Sequence, residues 1–203
     1  MPSLLGMPVA YKPPDYGQGG SFRLARRFVP AATTLAGILW AFRNPHATRL
    51  VLVDRVRLQV LQIAAPTAAI EDRFSINRVT GYTVEDTTGS ISITPGTAKQ
   101  RLRSTSASSI VTIREANVAA GASGGTRTAD DNPLVVGALW VPIALQTASI
   151  QPPTVVIDYY PIQAHPLVLG QNEGFTINND NAFGAAQGIV LYADFHWTEV
   201  DTF

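Results

Sequence analysis

Residues 173–200 read EGFTINNDNAFGAAQGIVLYADFHWTEV, and their hydrophobic pattern decides the fold class. From Ile189 onward the period is two. Ile189, Leu191, Ala193, Phe195 and Trp197 fall on one side, with Val190, Tyr192, Asp194, His196 and Thr198 on the other. A helix would scatter these residues around its axis; a strand separates them into a dry face and a mixed face. Gly174–Asn178 also alternates. Between the two lie Asn178–Asn181 and Gly184–Gly188, rich in residues that accept turn dihedrals. The stretch therefore predicts two strands joined by a turn region.

Strand signals extend back along the chain. Leu35–Asn44 is ended by Asn44-Pro45. Ala47–Ile63 is the longest: Leu50, Leu52, Val56, Leu58 and Val60 read as one face, interrupted by Asp54, and Val51, Val53, Arg55, Arg57 and Gln59 as the other. Ala64–Ile70 reads as a Pro-broken loop or short helical turn. Shorter strands are predicted at Arg73–Val79, Ser90–Thr94, Ser109–Glu115, Leu134–Trp140, Val155–Tyr160 and Glu173–Asn178. Short strands punctuated by Gly, Pro, Asn and Asp, with little helix, predict an all-β fold: an antiparallel β-sandwich of jelly-roll type over residues 33–203.

Residues 1–32 are expected to be an extended N-terminal arm. Pro2, Pro8, Pro13 and Pro14, with Gly6, Gly17, Gly19 and Gly20, block helix and central strand alike. The apolar residues among them are too many for a plain solvated tail. The expected partner-binding residues are Leu4, Leu5, Met7, Tyr11, Tyr16, Phe22, Arg23, Arg26, Arg27 and Phe28, with the arginines clamping an acidic protein surface.

Composition narrows the function. A chain of 203 residues can bury roughly 70% of its unfolded surface, and it has no Cys, so neither disulfides nor thiolate chemistry enters. Formal net charge is zero, which gives no whole-molecule attraction to nucleic acid or acidic membrane. No run approaches the ~20 apolar residues of a membrane span, and residues 1–10 lack the basic start of a secretory leader. Thirteen of the fifteen basic residues are Arg, the residue suited to buried or interfacial pairing. Residues 1–50 hold six cations against Asp15 alone, a net charge of +5.

No motif for catalysis, cofactor or metal is present. His46, His165 and His196 are not at ligand spacing, and His196 and Glu199 point to opposite faces of a strand. Glu71-Asp72, Glu85-Asp86 and Asp130-Asp131 are sequence neighbours that diverge or face solvent. Asn178–Asn181 reads as a turn rather than a calcium loop. Gly121–Arg127 lacks the Gly-Lys-Ser/Thr of a phosphate loop, and Ser104, Ser106, Ser108 and Ser109 lack a nucleophile elbow. A non-enzymatic protein without cofactor is expected. Arg55 and Arg57, like Arg101 and Arg103, alternate along strands. They are candidate subunit-interface residues that would meet Asp54, Glu115 or Asp194 of a neighbour in bidentate pairs.

Three stretches carry a family resemblance: EGFTINN followed by GIVLYADFHWTEV, the earlier ATRLVLVDRVRLQVLQIAAPTAAIEDRFSI at 47–76, and Gly125-Thr126-Arg127-Thr128 shortly before Asn132-Pro133-Leu134. Over roughly residues 35–200 the chain resembles the small jelly-roll virion proteins of tailed bacteriophages. The resemblance implies a capsid cement or decoration protein on the virion surface, made in the host cytoplasm. Its implied partners are the major capsid protein and copies of itself, as a homotrimer, with neither nucleic acid nor membrane bound directly. The alternative is a head-fibre, tail or receptor-binding module. In that case Trp140, Tyr159, Tyr160 and Tyr192 would line a carbohydrate groove.

Overall fold

The computed structural model describes residues 20–30, 36–93, 100–101, 108–142, 152–161 and 166–201. Among these the chain forms strands and no helix. The strands are β1 (Gly20–Phe28), β2 (Gly37–Asn44), β3 (Arg49–Ala64), β4 (Ile70–Val84), β5 (Ser90–Ser92), β6 (Gln100–Arg101), β7 (Thr112–Ala116), β8 (Thr126–Ala129), β9 (Val135–Val141), β10 (Thr154–Tyr159), β11 (Leu167–Leu169), β12 (Glu173–Asn179) and β13 (Gly188–Asp201). They build two antiparallel sheets. The first runs β10-β3-β13-β1-β6, with β11 also on β3; the second runs β5-β7-β2-β12-β4-β8, with β9 also on β4. The expected antiparallel sandwich is what forms.

Alternation explains the core. Ile189, Leu191, Ala193, Phe195 and Trp197 of β13 are buried, as the two-residue period requires. They face aromatic side chains of the second sheet. Phe42 stacks on Phe175 at 4.8 Å, Trp197 meets Phe42 edge-on at 5.4 Å, and Trp40 meets Phe195 edge-on at 6.3 Å. Such pairs add to the area term that dominates sandwich stability. The closing end of the sandwich needs a glycine. A Cβ at Gly137 of β9 would lie 2.0 Å from the carbonyl oxygen of Val156 in β10, so only a bare Cα lets the two sheet edges approach there.

Three sequence expectations change. The arm expected over 1–32 gives up Gly20–Phe28, which is β1, hydrogen-bonded to β13 over its full length from Gly20–Glu199 to Phe28–Leu191 and to β6 on its other side. Phe22 and Leu24 are core residues, and Phe22 stacks on Trp197 at 5.7 Å.

Second, the faces of β3 switch part-way. Val51 and Val53 are buried together with Val56, Leu58 and Val60. Opposite β13, His196 pairs with Arg55 and Trp197 with Val53, so Asp54 is an extra residue. A bulge at Asp54 moves the dry face from odd to even positions, and Thr198 Oγ1 holds the bulged carboxylate at 2.9 Å.

The opening stretch forms its two expected strands, β12 in the second sheet and β13 in the first. Third, β8 and β11 form where no strand was expected. The Thr126–Ala129 segment is polar and almost wholly exposed, and Leu167–Leu169 is only three residues long, so neither carries a period.

Candidate functional site

The outer face of the first sheet carries a dense cluster of charge. Its side chains are those left outward by the alternation that fills the core: Arg23, Ala25 and Arg27 on β1; Tyr192, Asp194 and His196 on β13; Arg55, Arg57 and Gln59 on β3; Asp158 on β10. The register lines them up in rows across the strands. Asp158 lies opposite Arg57, which lies opposite Asp194, opposite Ala25. The row above is Gln59, Tyr192 and Arg27.

Several of these charges neutralise one another. Arg23 grips Asp194 with Nε at 3.0 Å and Nη2 at 2.7 Å. His196 Nε2 lies 3.3 Å from the same carboxylate. Burial works against ionisation of Asp194, but the bonds from Arg23 and His196 outweigh it and hold the carboxyl below its usual range. Arg55 grips Asp158 in the same bidentate way, at 2.8 and 2.6 Å, and this pulls the Asp158 carboxyl down.

The pattern recurs on the other described strands. Arg26 reaches between the sheets to Glu115, at 2.9 and 2.7 Å, and Trp40 Nε1 donates to the same carboxylate at 3.0 Å. Arg43 and Arg114 share Glu85, Arg49 holds Asp201, Arg73 holds Glu71 and Arg78 holds Glu173. Arg127 binds the fully buried Asp86, which also accepts from the Tyr82 hydroxyl, with the Arg127 guanidinium over the Tyr82 ring. Nine of the thirteen arginines thus find a carboxylate within their own chain.

Two do not. Arg27 and Arg57 have no carboxylate within ion-pair distance among the described residues, and Arg57 Nε is buried without a hydrogen-bond partner. Both line one open groove of about 420 Å³, together with Gln59, Tyr192 and the outward edge of the Arg23–Asp194 pair. The remaining arginines of the sequence reading, Arg101 and Arg103, have side chains outside the described residues.

The expected partner-binding residues therefore separate. Phe22 is interior, which corrects its assignment to a partner surface. Phe28 is half-buried, edge-on to Trp40 at 5.5 Å. Arg23, Arg26 and Arg55 are held by Asp194, Glu115 and Asp158 of their own chain, whereas Arg23 and Arg26 were expected to clamp a partner's acidic surface and Arg55 to meet a carboxylate of a neighbouring copy. Arg27 and Arg57 form no ion pair among the described residues, although Arg57, opposite Asp158, also helps to hold that carboxyl down. Leu4, Leu5, Met7, Tyr11 and Tyr16 lie outside the described residues. Tyr192, a candidate for a carbohydrate groove in the sequence, lines this one, but Gln59 and the groove itself were not legible, because the three strands that bring them together are joined only by tertiary pairing. Only the mixed-face alternation of β13 and β3 hinted at them.

The other candidates have structural partners. Asp180 accepts from Ser75 at 2.6 Å, and Asn181 bridges Arg73 N and the Glu71 carbonyl, so Asn178–Asn181 is a turn tied to β4. Gly121–Gly125 packs against β2 and the β4–β5 connection through bridges at Ile38 and Thr88. Among the described residues no three His, Asp or Glu side chains are grouped to hold a metal ion. No protein-family model matches the chain, and no curated protein matches it in sequence.

Proposed function

We propose that this protein is a structural virion component, a cement or decoration protein on the outside of a tailed-phage capsid. It would bridge joints between major capsid protein subunits and act as a homotrimer. The observation that supports this best is the charge inventory. Among the arginines whose side chains are described, all but Arg27 and Arg57 are paired with a carboxylate of their own chain, and those two line one open groove, which suits a module that presents surfaces to other subunits. Interface area laid across a joint must be exposed again whenever the joint opens, so such a protein opposes rupture by mass action. The strand order supports the jelly-roll form: β1-β13-β3-β10 opposes β2-β12-β4-β9, and the first and last strands are neighbours.

The test is to add purified protein to capsids lacking it. Saturable binding in multiples of three, with a raised temperature of capsid rupture, is expected. Absence of binding overturns the reading. A chain lacking residues 1–19 is expected to stay folded and to bind capsids at least about tenfold more weakly, which tests the arm separately.

One observation favours a second reading, a carbohydrate-recognising fibre or tail module. Trp140 is 67% exposed and Tyr160 62%, and aromatic faces of this kind stack on sugar rings. Glycan-array binding that is lost in Trp140→Ala would select it.

A further inference from the structure

The groove has a counterpart on the same molecule. Asp130 and Asp131, in the loop between β8 and β9, are exposed and have no cationic partner among the described residues. The other carboxylates of the described residues are spoken for. Those not held by arginine are Asp54, Asp180 and Glu199, which accept hydroxyl hydrogen bonds, and Asp72, which accepts from Gln187. Among the described side chains the cations without an ion pair are thus two arginines lining one groove, and the carboxylates without a partner are two neighbours on one loop. They lie on different sheets: Arg27 and Arg57 on the outer face of the first, and Asp130-Asp131 at the end of β8 in the second.

We propose that the Arg27/Arg57 groove of one copy receives the Asp130-Asp131 loop of the next. This deepens the self-association in the assembly reading and rests on it for its purpose, but the contact itself requires no capsid. Because groove and loop are different surfaces, the contact is heterologous and closes as a ring when the rotation between copies permits.

The neighbourhood of each half supports the match. Beyond the acidic loop, β9 presents Val136 and Trp140 outward, 56% and 67% exposed. Beside the groove, the β10 edge presents Val155 and Tyr160, 41% and 62% exposed. Apolar area next to complementary charge is the composition of an interface, in which the apolar part supplies affinity and the charges set register. The carboxylates would form bidentate bonds to the guanidiniums, with Tyr192 and Gln59 at the groove wall.

The test uses the full chain in solution without capsids, with mass read by sedimentation across concentration and salt. Wild type is expected to self-associate, more weakly as salt rises because the pairs lie at the surface. Two double variants, Arg27→Asp with Arg57→Asp and Asp130→Arg with Asp131→Arg, are each expected to weaken association by more than about a hundredfold through like-charge contact. Their circular dichroism should be unchanged, since all four side chains lie outside the core. Mixed together, the two variants are expected to associate again, because each then finds its complement. Association of either double variant alone at wild-type strength overturns the proposal, as does failure of the mixture to recover or a wild type that stays monomeric. Capsid binding by a monomeric wild type would leave the cement reading standing while this one fails.

Discussion

At the scale of single residues, the informative groups are buried carboxylates whose partners come from far along the chain. Glu115 receives Arg26 from 89 residues away. Arg26→Ala would leave that carboxylate buried with only the Trp40 indole, a change expected to cost about 3 kcal/mol and to be read as a lower denaturant midpoint. Asp72 is the opposite case. It is fully buried, its Oδ2 accepts from Gln187 Nε2 at 2.5 Å, and its Oδ1 has no partner. Burial pushes its carboxyl up to about 6 against the hydrogen bond from Gln187. Since the folded state then holds the proton more tightly than the unfolded chain, the protonated form favours folding. Stability should fall as pH rises from about 4 to about 6 and level off above that. Asp72→Asn is expected to remove this slope and to raise stability at pH 8 by on the order of 2 kcal/mol, as measured by urea unfolding across pH.

At the scale of elements, β1 shows why part of the fold was hidden. The segment GSFRLARRF alternates, but Arg26 shares the inward side with Phe22, Leu24 and Phe28. Charge on both sides erased the dry face, and the residue that makes an inward arginine tolerable, Glu115, lies in another sheet. The strand therefore read as a basic cluster on an arm. Deleting residues 1–28 is expected to abolish folding, because β13 would lose a neighbour along nine residues and Trp197 its stacking partner. Deleting residues 1–19 should leave the thermal midpoint within a few degrees of wild type. Far-ultraviolet circular dichroism of the two truncations separates these outcomes. Gly137→Ala, where the Cβ has only 2.0 Å to the Val156 oxygen, is expected to cost about 2–3 kcal/mol by forcing the sheet edges apart.

At the scale of the whole molecule, the fold class was legible because β13 keeps one period from Ile189 to Trp197, with Ile189, Leu191, Ala193, Phe195 and Trp197 all buried. Strand alternation depends on the local sequence alone. What was not legible depends on register. The bulge at Asp54 reverses the faces of β3, and only the pairing with β13 reveals it. The assignment of β12 and β13 to different sheets is likewise a tertiary fact. The same holds for the site: its residues were read as arginines in alternation, but which of them remain unpaired is decided by carboxylates on other strands. Across the molecule, raising ionic strength is expected to lower self-association far more than thermal stability. The core is apolar and Glu115 and Asp86 are buried with their arginines, whereas the groove charges are open to screening.

The place of β13 between β3 and β1 has a consequence for how the protein is born. On the ribosome, the strands that flank it emerge first and can find no partner in the middle of their sheet until residues near 201 have been made. The first sheet must therefore close after synthesis of its last strand, in a single late event. Until then the waiting chain exposes two long unpaired edges, at which a nascent copy is open to mispairing with its neighbours on the same message.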